Sequence, residues 1–302
     1  MAFYDRAVVR LLPAVPRAVV KRLSERYIAG EELTDASRVV AELNAAEKLA
    51  TVDVLGEELA SAEEAEAITR EYLDVLAEIE RAGLDSNISV KPTGIGLKLD
   101  VGLCRANLER LVRAAASRGN FVRIDMEDST TTDETLALYR ELREAGFDNV
   151  GVVLQSSLKR SLSDARALAD LRANVRICKG IYIEDESIQF RDFDAVRANF
   201  VRLLEELLEL GCYVGIATHD EWLISEGRRL ASGRPHEFQM LLGVRTHLGD
   251  ELVREGRKLR IYVPYGRHWY GYSLRRLQEN PKIAGYVAAD TVSRLLPGRR
   301  VA

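Results

Sequence analysis

The chain has 302 residues, of which 47% are hydrophobic and 30% are charged, and its formal net charge is −4. This length can bury one large core, and the charge lacks the basic excess that nucleic-acid binding requires, so we expect no nucleic-acid partner. Three scattered cysteines form no C-x-x-C pair, and the four histidines lack metal-ligand spacing. No apolar run approaches the roughly 18–20 residues of a membrane span. We therefore expect a cytoplasmic protein without a disulfide, a metal or a transmembrane helix.

Residues 1–48 are predicted to form an N-terminal helical extension. Its first 30 residues are basic and amphipathic, with Arg6, Arg10, Arg17, Lys21, Arg22 and Arg26 among Val, Leu and Ala. Such a segment can pack on a domain, touch the inner face of the cell membrane as a peripheral contact, or act as a targeting leader. Pro13 and Pro16 interrupt the helical pattern, and we favour packing.

From residue 49 to 302 one pattern repeats: a short apolar run, a polar loop and an amphipathic helix. The predicted strands are Leu49–Leu55, Asn87–Lys91, Phe121–Met126, Val150–Gln155, Val175–Lys179, Tyr213–Thr218, Glu237–Leu241 and Leu259–Pro264. The clearest predicted helices are Ala62–Ala82, Asn107–Arg118, Thr132–Glu144 and Phe193–Leu210, and each ends near a glycine. The weakest unit is 220–233. Eight alternating units predict an α/β fold, a distorted (β/α)8 TIM barrel.

Polar residues follow seven of the eight predicted strands. Barrel enzymes work from the carboxyl ends of their strands, so these residues are expected to meet at one mouth. They are Glu57, Lys91, the Asp125-Met126-Glu127-Asp128 run, Gln155, the Lys179-Gly180-Ile181-Tyr182 run, Thr218-His219-Asp220 and Tyr265-Gly266-Arg267.

After the last strand, Tyr272, Arg275, Arg276 and Glu279 recur at i, i+3, i+4 and i+7. This spacing places them on one face of a helix. Such a face either meets water or encloses an anion, because neighbouring guanidiniums suit a carboxylate or a phosphate. We expect this final helix to cover the barrel mouth.

The predicted site is rich in cations and phenols and contains neither a nucleophile elbow nor a carboxylate triad. A redox cofactor therefore fits better than acid–base catalysis by side chains alone. One alternative is an aldolase with Lys91 or Lys179 as a Schiff-base amine. Another is a catalytically silent barrel that binds a small acid as a sensor.

The predicted strand ends carry the motifs Val-Lys-Pro, Arg-Ile-Asp-Met-Glu-Asp-Ser, Val-Val-Leu-Gln-Ser, Arg-Ile-Cys-Lys-Gly-Ile-Tyr, Ala-Thr-His-Asp and Glu-Phe-Gln-Met-Leu. They are followed by Ile-Tyr-Val-Pro-Tyr-Gly and Tyr-x-x-Arg-Arg-x-x-Glu. Over residues 49–281 this set of motifs resembles monofunctional bacterial proline dehydrogenase. The resemblance implies noncovalently bound FAD and oxidation of L-proline to Δ1-pyrroline-5-carboxylate, with electrons passed to a membrane quinone. It also implies that a separate pyrroline-5-carboxylate dehydrogenase performs the next step, since this chain is too short to carry both enzymes.

By motif position, the resemblance implies that Lys91, Arg275 and Arg276 bind the proline carboxylate. Tyr272 would pack on the ring where a hydroxylated ring would clash, and Ile181 replaces a small alanine found in many members. The implied catalytic residues are Lys91, Asp125, Tyr262, Arg275 and Arg276. The implied substrate-binding residues are Lys91, Ile181, Tyr182, Tyr262, Tyr272, Arg275, Arg276 and Glu279, with Glu57 as a gate facing Arg275. The implied FAD-binding residues are Asp125, Met126, Gln155, Arg176, Lys179, Gly180, Ala217, Thr218, His219 and Glu237.

Overall fold

Eight parallel strands close into a barrel in which each strand pairs with the next along the chain and β8 pairs with β1. The structure, a computed structural model, describes residues 20–21, 25–56 and 59–273. The strands are β1 Leu49–Val54, β2 Ser86–Val90, β3 Val122–Ile124, β4 Val150–Gln155, β5 Asn174–Cys178, β6 Tyr213–Ala217, β7 His236–Leu241 and β8 Leu259–Tyr265. The predicted (β/α)8 barrel is confirmed. The largest error in strand length is at β3, where Asp125 and Met126 lie beyond the last paired residue.

The strands form where the sequence is apolar and β-branched, because both of their faces are buried. All six residues of β4, from Val150 to Gln155, are buried. Side chains on the outer face of the barrel pack against helices, whereas those on the inner face point to the barrel axis. The polar side chains of the strands, such as Asp53 and Arg176, therefore meet inside the barrel.

An outer layer of helices covers the strands. The helices are α1 Leu33–Ala45, α2 Ala62–Ala82, α3 Val101–Ala116, α4 Thr132–Glu144, α5 Ser161–Ala167, α6 Phe193–Glu209, α7 Glu221–Leu230 and α8 Thr246–Arg254. Side-chain caps explain several starts, since Ser61, Asp100 and Asp192 each accept a backbone N–H from the first turn. Helix α2 ends at Gly83, whose φ of 61° is left-handed and suits glycine. The weakest predicted unit is confirmed as helix α7.

Helix α1 packs against both β8 and β1 and so closes the outer layer where the barrel itself closes. Its buried residues Ala36 and Val40 belong to the same hydrophobic core as the strands. Part of the predicted 1–48 extension is thus a component of the barrel layer. The reason is geometric, because α1 packs its buried residues on both strands at the point where the barrel closes.

Across the described ranges, no helix combines the length and the apolar character needed to cross a membrane. The final helix is described from Trp269 to Ser273. Glu57, Arg275, Arg276 and Glu279 lie outside the described residues.

Candidate active site

A cavity of about 1140 Å³ opens at the carboxyl ends of the strands. Its lining comes from the ends of seven strands, β2 to β8, from the loops and helix starts that follow several of them, and from the start of the final helix. Most of the sequence-predicted residues described by the structure line it: Lys91, Asp125, Met126, Gln155, Arg176, Lys179, Gly180, Ile181, Tyr182, Ala217, Thr218, His219, Tyr262 and Tyr272. The barrel therefore brings together side chains that lie up to about 180 residues apart in sequence.

One ion pair occupies the β1–β2 side of the cavity. The Lys91 ammonium donates to both carboxylate oxygens of Asp53, at 2.8 and 2.7 Å. Asp53 is fully buried in β1 and also accepts a hydrogen bond from the Tyr72 hydroxyl at 3.1 Å. A buried carboxylate requires a cation and further donors, and this site supplies both. Lys91 thus presents a compensated ammonium to the cavity.

A second ion pair lies opposite the first. Arg176 Nη1 donates to Asp125 Oδ1 at 2.8 Å, and the Ser89 hydroxyl donates to the same oxygen at 2.7 Å. The Arg176 Nε donates to Gln239 Oε1 at 2.5 Å, which fixes the plane of the guanidinium. Asp125 therefore lies behind a cation that faces the cavity.

Tyr262 joins the two ion pairs. Its hydroxyl accepts from Lys91 Nζ at 3.2 Å and donates to Asp125 Oδ2 at 3.0 Å. Loss of solvation inside the barrel, with the nearby Asp125 and Asp53 charges, raises the pKa of Tyr262 well above its ordinary value. The phenol therefore stays protonated and acts as a hydrogen-bond donor near neutral pH.

Glu237 is the predicted cofactor residue that does not line this cavity. It lies deeper in the barrel, where Arg260 Nε donates to it at 2.8 Å and Gln239 Nε2 at 2.5 Å. Burial opposes its ionisation, but Arg260, Gln239 and Arg123 together outweigh burial and lower the pKa of Glu237. Through Gln239, this carboxylate supports Arg176 from below instead of facing the cavity.

The β5–β6 rim of the cavity carries a second basic group. Asp220 accepts from Lys179 Nζ at 2.5 Å and from Arg197 at 2.7 and 2.6 Å. Burial opposes ionisation of Asp220, yet the hydrogen bonds from Arg197 and Lys179 outweigh it and hold the pKa of this carboxyl well below its usual range. Both cations also lie over the ring of Phe193, at 4.5 and 4.3 Å from its centroid. This rim suits an anionic group such as a phosphate.

His219 has a defined role at the end of β6. Its Nε2 accepts the backbone N–H of Leu241 at 3.0 Å, so the neutral ring carries its proton on Nδ1. Gln155 is similarly fixed, since its Nε2 donates to the Glu127 carbonyl at 2.7 Å. At Gly180, with φ of 96°, an added Cβ would lie 2.5 Å from Ser157 Oγ and 2.6 Å from Gln155 Oε1. Only glycine allows the loop to approach this closely.

The apolar and phenolic wall of the cavity includes Tyr272, Tyr182 and Ile181. Tyr272 is 6% exposed and packs with Ile28 and Leu55, whereas Ile181 is 48% exposed at the rim. The predicted gate residue Glu57 and the Arg275–Arg276 pair are outside the described residues, so their positions stay predictions.

Sequence reasoning missed Asp53, Ser89, Gln239 and Arg197. A signal existed for Asp53, because an aspartate inside the apolar run Ala-Thr-Val-Asp-Val is a buried charge that needs a partner. The other three gave little signal, because serine, glutamine and helix arginines occur in many structural positions.

Comparisons with known proteins show the family to which the chain is related. A family model described as proline dehydrogenase matches residues 36–289. Proline dehydrogenase of Deinococcus radiodurans is 38% identical over 274 residues, covering 88% of this chain and 88% of the relative. Proline dehydrogenase 1 of Bacillus subtilis is 35% identical over 269 residues, covering 87% and 89%.

Among solved structures, proline utilization A from Bdellovibrio bacteriovorus, inactivated by N-propargylglycine, matches with a TM-score of 0.80 and 23% identity. The match covers 86% of this chain and 33% of that chain. At this identity the likeness concerns the fold.

Proposed function

The chain belongs to the proline dehydrogenase family, whose reaction is the first step of proline catabolism, and we propose that it oxidises L-proline to Δ1-pyrroline-5-carboxylate with FAD as the electron acceptor. The observation that carries the proposal is the pair of compensated cations, Lys91 and Arg176, which face one cavity on either side of the Tyr262 hydroxyl. These positive side chains are complementary to a small carboxylate substrate and to a large anionic cofactor.

The described residues fit FAD. The cavity of about 1140 Å³ is much larger than proline needs. Lys179 and Arg197 at its rim are suitable phosphate partners, and Gly180 lines the same cavity without a side chain that would occupy it. Arg176, Gln155, Thr218 and His219 would hold the cofactor along the strand ends. When bound, FAD would accept the hydride that leaves the proline ring.

The protein's own contribution is to bind and orient the substrate. Lys91, joined by Arg275 and Arg276 as the sequence predicts, would fix the proline carboxylate, and Tyr272 would pack on the ring. Several cations around one carboxylate also disfavour the protonated amine, which must lose its proton for the imine to form. Orientation at near-attack distance and exclusion of water are the sources of rate enhancement that these residues supply.

The two alternative functions receive less support. A Schiff-base aldolase needs a neutral lysine amine, but Lys91 and Lys179 are each paired with a carboxylate, at 2.7 and 2.5 Å. A silent sensor of a small acid would not need a cavity of about 1140 Å³.

We also propose a membrane quinone as the final electron acceptor and a separate pyrroline-5-carboxylate dehydrogenase as the consumer of the product. Support comes from the family resemblance and, for the quinone, from the exposed apolar side chains Ile181 and Ile183 beside the cavity. Turnover with a short-chain quinone tests this acceptor, and a rate no greater than with oxygen alone would contradict it.

The decisive experiment for the function is anaerobic addition of L-proline to the purified holoenzyme. We expect the blue absorption band of oxidised flavin to bleach, and we expect the yellow colour to leave the protein on acid precipitation because FAD is held noncovalently. Lys91→Met is the matched variant, which should bleach only at much higher proline concentrations. A wild-type flavin that stays oxidised would overturn the proposal.

A further inference from the structure

Asp53 is a carboxylate that the proposed reaction does not use directly, yet it occupies the interior of the site. It has no exposed surface and lies in the middle of β1, where its neighbours Val52 and Val54 are core residues. It accepts two hydrogen bonds from Lys91 Nζ and one from the Tyr72 hydroxyl. Such a buried charge destabilises a fold unless it is compensated, and Lys91 provides the compensation.

The Lys91 ammonium is held by two groups of the barrel wall. It contacts both carboxylate oxygens of Asp53, at 2.8 and 2.7 Å, and the Tyr262 hydroxyl at 3.2 Å. The lysine side chain is 12% exposed, so it has little water to stabilise its charge. Among the described residues, Asp53 thus both compensates the charge of Lys91 and fixes the direction of its flexible four-carbon stem.

A second cation lies close to the first. Arg176 and Lys91 lie over the same Tyr262 ring, at 5.5 and 5.9 Å from its centroid. Two cations so placed repel each other, and each is paired with its own carboxylate, Arg176 with Asp125 and Lys91 with Asp53. Asp53 therefore allows Lys91 to stay at the cavity wall beside Arg176.

We propose that Asp53 is the positioning residue for recognition of the substrate carboxylate, because it holds the Lys91 ammonium against Tyr262 at the cavity wall. The inference rests on the proposed function and assigns to Asp53 an effect exerted through Lys91. It differs from the role of Asp125, whose carboxylate pairs with Arg176.

The test measures binding of tetrahydrofuran carboxylate, a proline isostere with oxygen in place of the ring nitrogen, to the holoenzyme by its perturbation of the flavin spectrum. For Asp53→Asn we expect the Kd to rise about tenfold or more. The KM for proline should rise similarly while kcat changes less than about threefold, because an interaction shared by ground state and transition state affects KM. An unchanged Kd would overturn the proposal.

A double-mutant cycle with Lys91→Met shows whether Asp53 acts through Lys91. We expect Asp53→Asn to add no further loss of affinity in the Lys91→Met background. The same fold loss in both backgrounds would overturn the proposal, since Asp53 would then act through the general structure of the barrel. If Asp53→Asn alone fails to fold, Lys91→Met is compared directly with the double variant, which removes both buried charges together. A further loss of affinity in the double variant would then overturn the proposal.

Tyr72→Phe is the matched control. Tyr72 touches Asp53 but has no hydrogen bond to Lys91, so its loss should leave the Kd within about threefold of wild type. A loss as large as that of Asp53→Asn would place the effect in packing around β1 and overturn the proposal. Wild type that binds neither the isostere nor proline would instead overturn the proposed function and this inference together, which separates the two failures.

Discussion

Tyr272 is the residue at which substrate discrimination can be tested most directly. Its ring is 6% exposed, packs against Leu55 and Ile28, and forms part of the cavity wall. An aromatic ring held this firmly defines the space beside a bound five-membered ring. Shape alone discriminates weakly, by about 1–3 kcal/mol, because a pocket wall can yield to a small added group.

For Tyr272→Ser we expect the preference for proline over 4-hydroxyproline to narrow by about tenfold to a few tens-fold, with both substrates poorer than in wild type. The ratio of kcat/KM values measures this. Tyr272→Phe is the control, since it keeps the ring and should keep the preference. A Ser variant with the parental ratio would place Tyr272 outside the substrate pocket.

At the scale of elements, Asp220 connects three parts of the β5–β6 side. It pairs with Lys179 after β5 and with Arg197 on α6, and it accepts the Trp222 N–H at the start of α7. Because these cations lower the pKa of Asp220 in the folded protein, its charge stabilises the fold above the unfolded pKa of about 3.9. That contribution disappears as the pH falls toward the lower folded pKa.

We therefore expect Asp220→Asn to lower the thermal midpoint at pH 5–7 and the difference from wild type to shrink below about pH 4. Asparagine can still cap helix α7, so the difference in thermal midpoint between the variant and wild type arises from the lost charge. Asp170→Asn is the control, because Asp170 pairs with Arg140 at the surface with 63% of its side chain exposed, and it should change little. A difference that persists unchanged to pH 2 would contradict the charge explanation.

Helix α1 provides a second test at this scale, since it decides whether the barrel layer includes residues before 49. Val40→Asp places an unpaired charge at a fully buried position between α1 and the strands. We expect the free energy of unfolding to fall by about 3 kcal/mol or more. Ala41→Asp, at the exposed neighbouring position, should change it by about 0.5 kcal/mol at most. Equal effects in urea unfolding would show that α1 is an independent extension.

For the whole molecule, the cavity couples ligand binding to stability because its walls come from both the strands and their loops. Removing FAD should lower the thermal midpoint by several degrees, and re-adding FAD should restore it. A ligand present at 100 times its Kd stabilises the native state by about 2.7 kcal/mol. An identical midpoint with and without FAD would show that FAD does not bind the folded protein.

The predicted membrane contact is also tested on the whole molecule. If the basic residues before 27 touch anionic lipid, binding to anionic vesicles should fall with added salt and with removal of residues 1–26, because salt screens such attraction. Vesicle sedimentation measures this. Binding that is absent, or insensitive to salt, would leave packing as the role of the segment.

The sequence by itself determined the order of strands and helices, because the change between apolar runs and helical periodicity is a local property. Strand β4 and helices α2 and α4 begin and end where that pattern predicts. It also determined the site as a set of strand-end residues, since parallel strands closed into a barrel must bring those ends together. The resemblance in these motifs gave the family, which the comparisons confirm.

Only the tertiary structure decided how these residues pair. Lys91 meets Asp53 across 38 positions, and Tyr262 meets Asp125 across 137, and no local pattern encodes either contact. Glu237 lies in strand β7 like the cavity residue Gln239, yet it lies deeper in the barrel and so below the cavity. The packing of α1 on β8 and β1 likewise depends on where the barrel closes. Partner choice and depth follow from the three-dimensional arrangement of the strands, which sequence periodicity does not specify.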